Sequence, residues 1–266
     1  MHVHTTFSDG TFSPEEVVSY ASKVGLHCIA VCDHDTVGGI RPSLEAGERC
    51  GVEVIPAVEL TADKNGTEIH VLGFFIDWQD SALGQRLDEL CRQRINRIHE
   101  MVAKLKKRRV NLDAEEVFKL SGKGSVGRLH LARVLYKKGY TSSVDEAFRR
   151  YIGNRGPCYA GRIDLTPEEA IDEIIKVKGI PALAHPGVMG RDRFIPSYVK
   201  HGLVGIEVYH TDHPPAMVRH YEEMAAAYSL LVTGGSDCHG LGKGRVLMGS
   251  TTVPYELVEK LKNARR

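Results

Sequence analysis

The first 77 residues alternate between short apolar runs and amphipathic segments, which is the pattern of β/α units. The apolar runs predict strands at residues 2–4, 28–32, 52–60 and 67–76. One helix should begin after the capping box of Ser13 and Glu16 and run to residue 24, and a second should cover residues 37–50. The turn Asp63-Lys64-Asn65-Gly66 contains the Asn-Gly pair that favours hairpins, so it should join the third strand to the fourth.

The pattern becomes purely helical near residue 80. Apolar residues recur at helical spacing over residues 81–109, and shorter helices are predicted at 113–120, 128–138 and 143–151. No strand is evident between residues 80 and 156, which indicates a helical insertion.

Alternation of strands and helices resumes after Arg162. Strands are predicted at residues 180–184, 204–209 and 230–234, and helices at 167–178, 194–201, 214–228 and 254–264. This alternation is typical of an α/β fold with a parallel sheet and outer helices. We therefore expect a barrel of residues 1–79 and 157–266, interrupted by a helical insertion over residues 80–156.

The composition of the 266-residue chain is that of a globular protein, with 42% hydrophobic and 26% charged residues. No apolar stretch is long enough to span a membrane, and the polar N-terminus lacks the apolar run of a signal peptide. The six cysteines are scattered without a C-x-x-C pair, which is typical of reduced thiols. These features predict a cytoplasmic protein that has no membrane contact and no evident obligate protein partner.

The net charge of +1 hides an uneven distribution. Residues 80–162 contain 19 Lys and Arg against 9 Asp and Glu, so this segment carries +10. The rest of the chain has 16 basic and 25 acidic residues and carries −9. A division of labour is expected, in which the basic insertion attracts an anionic substrate.

The chain contains 13 histidines, and seven of them lie on or directly after predicted strands together with several carboxylates. In a parallel barrel the carboxyl ends of the strands form one rim, where active sites are built. A lone histidine there is more often structural, but eight or nine such residues favour a metal centre because buried charge needs a partner. Imidazole and carboxylate ligands suit Zn, Mn or Fe, and several carboxylates suit a multinuclear site. By contrast, His201, His213 and His220 look like surface residues.

The order of these residues resembles the motifs of the PHP (polymerase and histidinol phosphatase) family of metal-dependent phosphoesterases. The motifs are His2-x-His4 with Asp9, Asp33-His34-Asp35, Glu59, His70, Ala184-His185-Pro186 and Gly235-Ser236-Asp237-Cys238-His239. The resemblance extends over nearly the whole chain and implies a distorted (β/α)7 TIM-like barrel that holds two or three divalent ions.

The resemblance also implies a ligand set for each ion. His2, His4, Glu59 and Asp237 would hold the first ion. Glu59 as a bridge, with His70 and His185, would hold the second. Asp9, His34 and His239 would hold the third, although many family members have His at the position of Asp9. Asp33 or Asp35 is expected to orient a ligand imidazole from behind.

A second motif, Gly127-Arg128-Leu129-His130-Leu131-Ala132, resembles one PHP subgroup that includes 3′,5′-nucleoside bisphosphate phosphatases and a 5′→3′ exoribonuclease. Glu207-Val208-Tyr209-His210 is similar to a late motif of the same subgroup. The resemblance implies that Arg128, His130 and His210 lie near the substrate phosphate.

The implied reaction is hydrolysis of a phosphate monoester of a small phosphorylated nucleotide, with a 3′,5′-bisphosphate preferred. A hydroxide between two ions bridged by Glu59 would attack phosphorus. Arg128 would offset charge on the phosphate oxygens, and His210 or the third ion would assist the leaving oxygen. Three alternatives stay open: an exoribonuclease acting on short RNA, a histidinol-phosphate phosphatase and a non-catalytic metal-binding barrel.

Overall fold

A computed structural model describes residues 1–161 and 164–265. Seven strands form one sheet and are hydrogen-bonded in chain order. The strands are β1 (His2–Val3), β2 (Cys28–Val31), β3 (Glu53–Lys64), β4 (Thr67–Phe74), β5 (Ile180–Leu183), β6 (Gly205–His210) and β7 (Leu231–Gly235). All neighbouring strands are parallel except β4, which is antiparallel to both β3 and β5.

Contacts between the first and last strands nearly close the sheet into a barrel. Val3 forms a parallel bridge with Cys238, and the His4 backbone N–H donates to the Cys238 carbonyl at 2.9 Å. Gly235 has no side chain at the point where a Cβ would overlap the backbone of His2. The predicted seven-stranded α/β barrel is therefore confirmed, and its first and last strands lie close enough to share a site.

The hairpin predicted at Asn65-Gly66 is confirmed, and Lys64 pairs with Thr67 across it. The hairpin reverses β4, so the sheet is not fully parallel as the alternation suggested. The start of β4, rather than its end, consequently lies beside the carboxyl ends of the other strands.

Eleven α-helices occur in the described residues. They are α1 (Pro14–Lys23), α2 (Ile40–Cys50), α3 (Ser81–Lys107), α4 (Ala114–Ser121), α5 (Arg128–Lys137), α6 (Val144–Ala147), α7 (Pro167–Lys176), α8 (Pro186–Met189), α9 (Ile195–Lys200), α10 (Pro215–Ala227) and α11 (Tyr255–Asn263). The helix predicted at 143–151 is in fact α6 followed by a π-helical turn, Phe148–Ile152, and the short helix α8 was not predicted. In the described part of the chain, no helix combines the length and apolar character needed to cross a bilayer.

The segment between β4 and α7 has a hydrophobic cluster of its own. Buried residues from Ile98 on α3 to Ala160 form this cluster, separately from those packed around the barrel strands. The division of the chain into a barrel and an insertion stays a prediction, and the two separate hydrophobic clusters agree with it.

Buried arginines of α3 tie the insertion to the barrel. Arg94 is 4% exposed, and its Nε lies 2.5 Å from Oδ2 of Asp35. Its other nitrogens donate to the Thr61 hydroxyl and to the Val126 carbonyl. Asp35 also accepts from the Thr61 backbone N–H at 2.8 Å, so one carboxylate joins α3 to β3.

Removing the Arg94 side chain should therefore make the folded protein less stable. We expect Arg94→Ala to lower the free energy of unfolding by about 3–5 kcal/mol, because Asp35 keeps a buried charge without its partner. Arg92→Ala on the exposed side of the same helix should change it by less than about 0.5 kcal/mol. Chemical denaturation of both variants measures the difference. Equal effects would mean that the Arg94–Asp35 pair does not hold the insertion.

Candidate metal centre

The buried carboxylate of Glu59 lies at the centre of the barrel rim. Its Oε1 is 2.9 Å from His70 Nδ1 and 3.0 Å from His185 Nε2. Its Oε2 is 3.0 Å from His34 Nδ1, 3.3 Å from His4 Nε2 and 3.4 Å from His2 Nε2. The side chain is fully buried, and five imidazoles from four segments of the chain surround one carboxylate.

The structure brings all nine predicted ligands together. Atoms of three groups lie within 4.8 Å of one another, and these groups are His2, His4, Glu59 and Asp237; His4, Asp9, His34 and His239; and His34, Glu59 and His70. His185 joins the last group through its 3.3 Å contact with His70 Nδ1. The first group has the same members as the first predicted ion site. The second group also contains His4 and the third contains His34, whereas the prediction had placed each of these residues at one site only. Their metal-binding role stays a prediction.

Several of the clustered atoms are suited to a metal ion because they make no hydrogen bond of good geometry. Within residues 1–161 and 164–265, such buried atoms include Asp9 Oδ1, His34 Nδ1, Glu59 Oε2, His185 Nδ1 and Asp237 Oδ1. Unpaired buried polar atoms are costly, and a group of them facing one another needs a cationic partner. The imidazole and carboxylate donors fit Zn, Mn or Fe.

The carboxylates of the cluster stay ionised. Burial alone would raise the pKa of Glu59, but the imidazoles of His34, His70 and His2 hold it well below its usual range. Burial would likewise raise the pKa of Asp237, which Lys243 and His239 hold well below its usual range. Both groups therefore present negative charge at neutral pH.

The backbone is strained at the same rim. Asp35, His185 and Asp237 have positive φ angles of 50°, 27° and 49°. Residues other than glycine rarely adopt positive φ angles, and residues that do so cluster at functional sites. At His185 and Asp237 the turn follows a strand directly and brings a candidate ligand over the rim.

Glu207, which the sequence analysis did not assign, supports His2 from behind. Its Oε1 lies 3.1 Å from His2 Nδ1, and its Oε2 accepts from the His185 backbone N–H at 2.9 Å. A carboxylate behind a metal-binding imidazole fixes the ring and raises its basicity. The signal was present, because an acidic residue inside the apolar strand Gly205–His210 requires a buried partner.

Glu68 has the same relation to His70, and it also contacts the insertion. Its Oε1 is 2.8 Å from His70 Nε2 and accepts from Arg128 Nη2 at 2.8 Å. Its Oε2 lies 2.5 Å from Arg97 Nη2. Glu68 and His70 are two residues apart on β4 and thus share a face, which is the sequence signal that could have found Glu68.

Asp33 and Asp35, one of which was expected to orient a ligand imidazole, make no direct hydrogen bond to an imidazole among the described residues. Asp33 accepts from the Thr5 backbone, the Thr5 hydroxyl at 2.6 Å and the Ser8 hydroxyl at 2.6 Å, so it fixes the turn after β1. Asp35 pairs with Arg94 instead.

A cavity of about 640 Å³ opens over the cluster. Its lining combines cluster residues, basic residues of both the insertion and the barrel, and apolar side chains. Its lining includes Glu68, Arg128, Leu129, Phe148, Arg149, His210, Asp237, Lys243 and Leu247. Arg128 and His210 line this cavity, and their position near a substrate phosphate stays a prediction.

His130 and His213 differ from expectation. His130 is 2% exposed and is absent from the cavity lining among the described residues; its Nδ1 accepts from the Gly127 backbone N–H at 3.1 Å. Its ring thus caps the backbone N–H of Gly127 at the start of α5 and supports the backbone next to Arg128. His213 is 7% exposed and bonds to the Val208 carbonyl at 2.8 Å, so it is not a surface residue.

The neutral form of His130 should stabilise the fold in a pH-dependent way. Burial lowers its pKa from 6.5 to about 4. The contribution is fully present above pH 6.5 and is lost as the pH falls towards 4, since only the unfolded chain gains the proton in that range.

We expect His130→Gln to remove this dependence, because Gln at this position keeps the cap and does not titrate. The difference in unfolding free energy between His130→Gln and wild type should change by about 3 kcal/mol between pH 7 and pH 4. Denaturation of chelator-treated protein, free of any metal effect, measures it. His130→Ala should have a lower free energy of unfolding than His130→Gln at every pH. If the free energies of unfolding of wild type and His130→Gln changed in parallel with pH, the assignment would be contradicted.

Comparison with known proteins identifies relatives over most of the chain. The family model of the PHP domain matches residues 1–177. The chain is 32% identical to the phosphoribosyl 1,2-cyclic phosphate 1,2-diphosphodiesterase of Eggerthella lenta, covering 90% of this chain and 93% of that protein. It is 30% identical to the 5′-3′ exoribonuclease Rnm of Escherichia coli, with 90% and 84% coverage. It is 28% identical to the 3′,5′-nucleoside bisphosphate phosphatase of Chromobacterium violaceum, with 94% and 90% coverage.

The fold has a close counterpart among solved structures. A metal-dependent phosphoesterase from Bifidobacterium adolescentis superposes with a TM-score of 0.89 at 30% identity. The alignment covers 98% of this chain and 93% of that one.

Proposed function

The chain belongs to the PHP domain family, and we propose that this phosphoesterase removes a phosphate from a small nucleotide that carries two phosphates, preferably a 3′,5′-nucleoside bisphosphate. That it is a metal-dependent hydrolase of phosphoric esters follows from its family and relatives. The identity of the substrate is the proposal.

The position of Arg128 carries this proposal. One oxygen of Glu68 bonds both Arg128 Nη2 and His70 Nε2, each at 2.8 Å. The guanidinium therefore lies beside a residue of the cluster and faces the cavity. A substrate with one phosphate at the cluster would have a second phosphate within reach of this planar, doubly donating group.

Two or three divalent ions, Mn, Fe or Zn, would be held by the clustered residues. The first would take His2, His4, Glu59 and Asp237; the second Glu59, His70 and His185; the third Asp9, His34 and His239. Bound ions of this kind lower the pKa of water and polarise phosphoryl oxygens.

The chain's own side chains would do the remaining work. Arg128 binds and orients the phosphate that is not cleaved. His210 Nε2 makes no hydrogen bond of good geometry and lies 3.7 Å from Asp237 Oδ2, so it is free to hold a proton for the leaving oxygen. Leu129, Phe148 and Leu247 give the cavity an apolar wall that suits a sugar and a base.

A second candidate is hydrolysis of a cyclic phosphodiester on a phosphorylated ribose. It is favoured by the likeness to the Eggerthella lenta enzyme, whose named substrate also combines a ribose with two phosphates. The same cavity and the same Arg128 would serve either compound.

Product analysis separates the candidates. The metal-loaded protein would be given 3′,5′-bisphosphoadenosine, phosphoribosyl 1,2-cyclic phosphate, a short 5′-phosphorylated RNA and histidinol phosphate side by side. Fastest release of phosphate from the bisphosphate supports the proposal. Preference for the cyclic compound supports the second candidate, and preference for RNA or histidinol phosphate overturns both.

Variants of Arg128 and Glu59 should behave differently. We expect Arg128→Ala to lower kcat/KM on the bisphosphate by about 10²-fold, which corresponds to a charged hydrogen bond of roughly 3 kcal/mol. The loss on p-nitrophenyl phosphate should be much smaller, because that substrate has no second phosphate. Glu59→Gln should abolish both activities, since it removes the carboxylate shared by two ion sites.

Steady-state kinetics on both substrates decide the matter. Equal losses for Arg128→Ala would mean that Arg128 contacts the reacting phosphate. No loss on either substrate would mean that the guanidinium acts only through its contacts with Glu68, Asn154 and the Ile152 carbonyl.

A further inference from the structure

Lys243, on the loop after β7, contacts Asp237 of the cluster, whereas the Glu68–Arg128 pair contacts His70. Its Nζ is 2.7 Å from Oδ2 of Asp237, and its side chain is 34% exposed. It lines the cavity over the metal cluster. No motif in the sequence analysis singled it out.

The two oxygens of Asp237 face different neighbours. Oδ1 points at the imidazoles, 2.9 Å from His4 Nε2 and 3.5 Å from His2 Nε2. Oδ2 points away from them, to Lys243 and to His210 Nε2 at 3.7 Å. An ion on the Oδ1 side therefore does not require Lys243 to leave.

The ammonium group has hydrogen-bonding capacity to spare. A lysine offers three N–H donors, and the only hydrogen bond of Lys243 Nζ among the described residues is the one to Asp237. The remaining donors belong to a partly exposed side chain that lines the cavity. His210, with its free Nε2, lies at the same carboxylate oxygen, so two donor groups flank the space beside the cluster.

We propose that Lys243 binds a non-bridging oxygen of the phosphate that is hydrolysed, while Arg128 binds the second phosphate. This assignment rests on the proposed function. It divides the cavity into two anion subsites, one next to Asp237 and the other next to Glu68. In the reaction the phosphorus–ester oxygen bond breaks and a bond from phosphorus to water oxygen forms. Lys243 keeps its proton throughout and offsets the charge on the phosphoryl oxygen.

The test uses Lys243→Met, Lys243→Arg and, as a matched control, Lys260→Met on the exposed side of α11. Three quantities are measured: metal content per chain, the Kd of inorganic phosphate by calorimetry, and kcat/KM on the bisphosphate and on p-nitrophenyl phosphate. Inorganic phosphate probes the subsite whether or not the bisphosphate is the substrate. A failure of the proposed function, seen in product analysis, is thus separable from a failure of this assignment.

For Lys243→Met we expect unchanged metal content, phosphate binding weaker by about 10-fold or more, and an equal loss of about 10²-fold in kcat/KM on both substrates. Lys243→Arg should restore most of the phosphate affinity, and Lys260→Met should match wild type. Loss of metal in proportion to activity would overturn the proposal, because Lys243 would then act only by positioning Asp237. Unchanged phosphate affinity in Lys243→Met, or a loss confined to the bisphosphate, would overturn it as well.

Discussion

Placing one ionised carboxylate among five imidazoles is the constraint on which this structure depends. Glu59 is fully buried, and its two oxygens contact histidines from β1, β4 and the segments after β2 and β5. A charge buried in this way is costly unless it is fully partnered. The neighbouring strands β1 to β5 bring those partners to one point, so the packing of these strands and the formation of the site depend on each other.

Around the cluster, further buried acidic residues each contact two segments of the chain. Glu207 supports His2 and also fixes the backbone of His185. Glu68 holds His70 and reaches Arg97 and Arg128 in the insertion. The insertion is therefore coupled to the cluster by charge and hydrogen bonding, and a substrate group bound by Arg128 acts on a side chain that already contacts the cluster.

The uneven charge of the chain is reflected in the residues at the cluster and in the cavity above it. The acidic excess of the barrel includes carboxylates that gather at the cluster, where bound cations would neutralise them. Basic residues from both parts of the chain, Arg128, Arg149 and Lys243, line the cavity above. A substrate with more than one phosphate meets a cavity with more than one cationic side chain.

Much of the fold and of the candidate site could be predicted from the sequence. Most of the features that could not be predicted depend on contacts between residues far apart in the chain. Strand positions follow from the apolar runs, and the set of nine clustered residues was predicted from the resemblance of their motifs to the PHP family. The hairpin that reverses β4 was predicted, but the second antiparallel pairing of β4, with β5, joins residues more than 100 positions apart and has no local signal. Glu207 lies 205 residues from His2, and no local pattern joins them. His130 was expected near the substrate phosphate because of its motif, but a motif does not show that its ring is buried and bonded to the Gly127 backbone.

The central claim is that the cluster around Glu59 is a multinuclear metal site. Crystals of metal-replete protein, with anomalous scattering recorded at the absorption edges of Mn, Fe and Zn, test it most directly. The account predicts at least two ions within about 4 Å of one another, with the Glu59 carboxylate between them. A single ion at full occupancy, or a Glu59 side chain turned away from the ions, would contradict it.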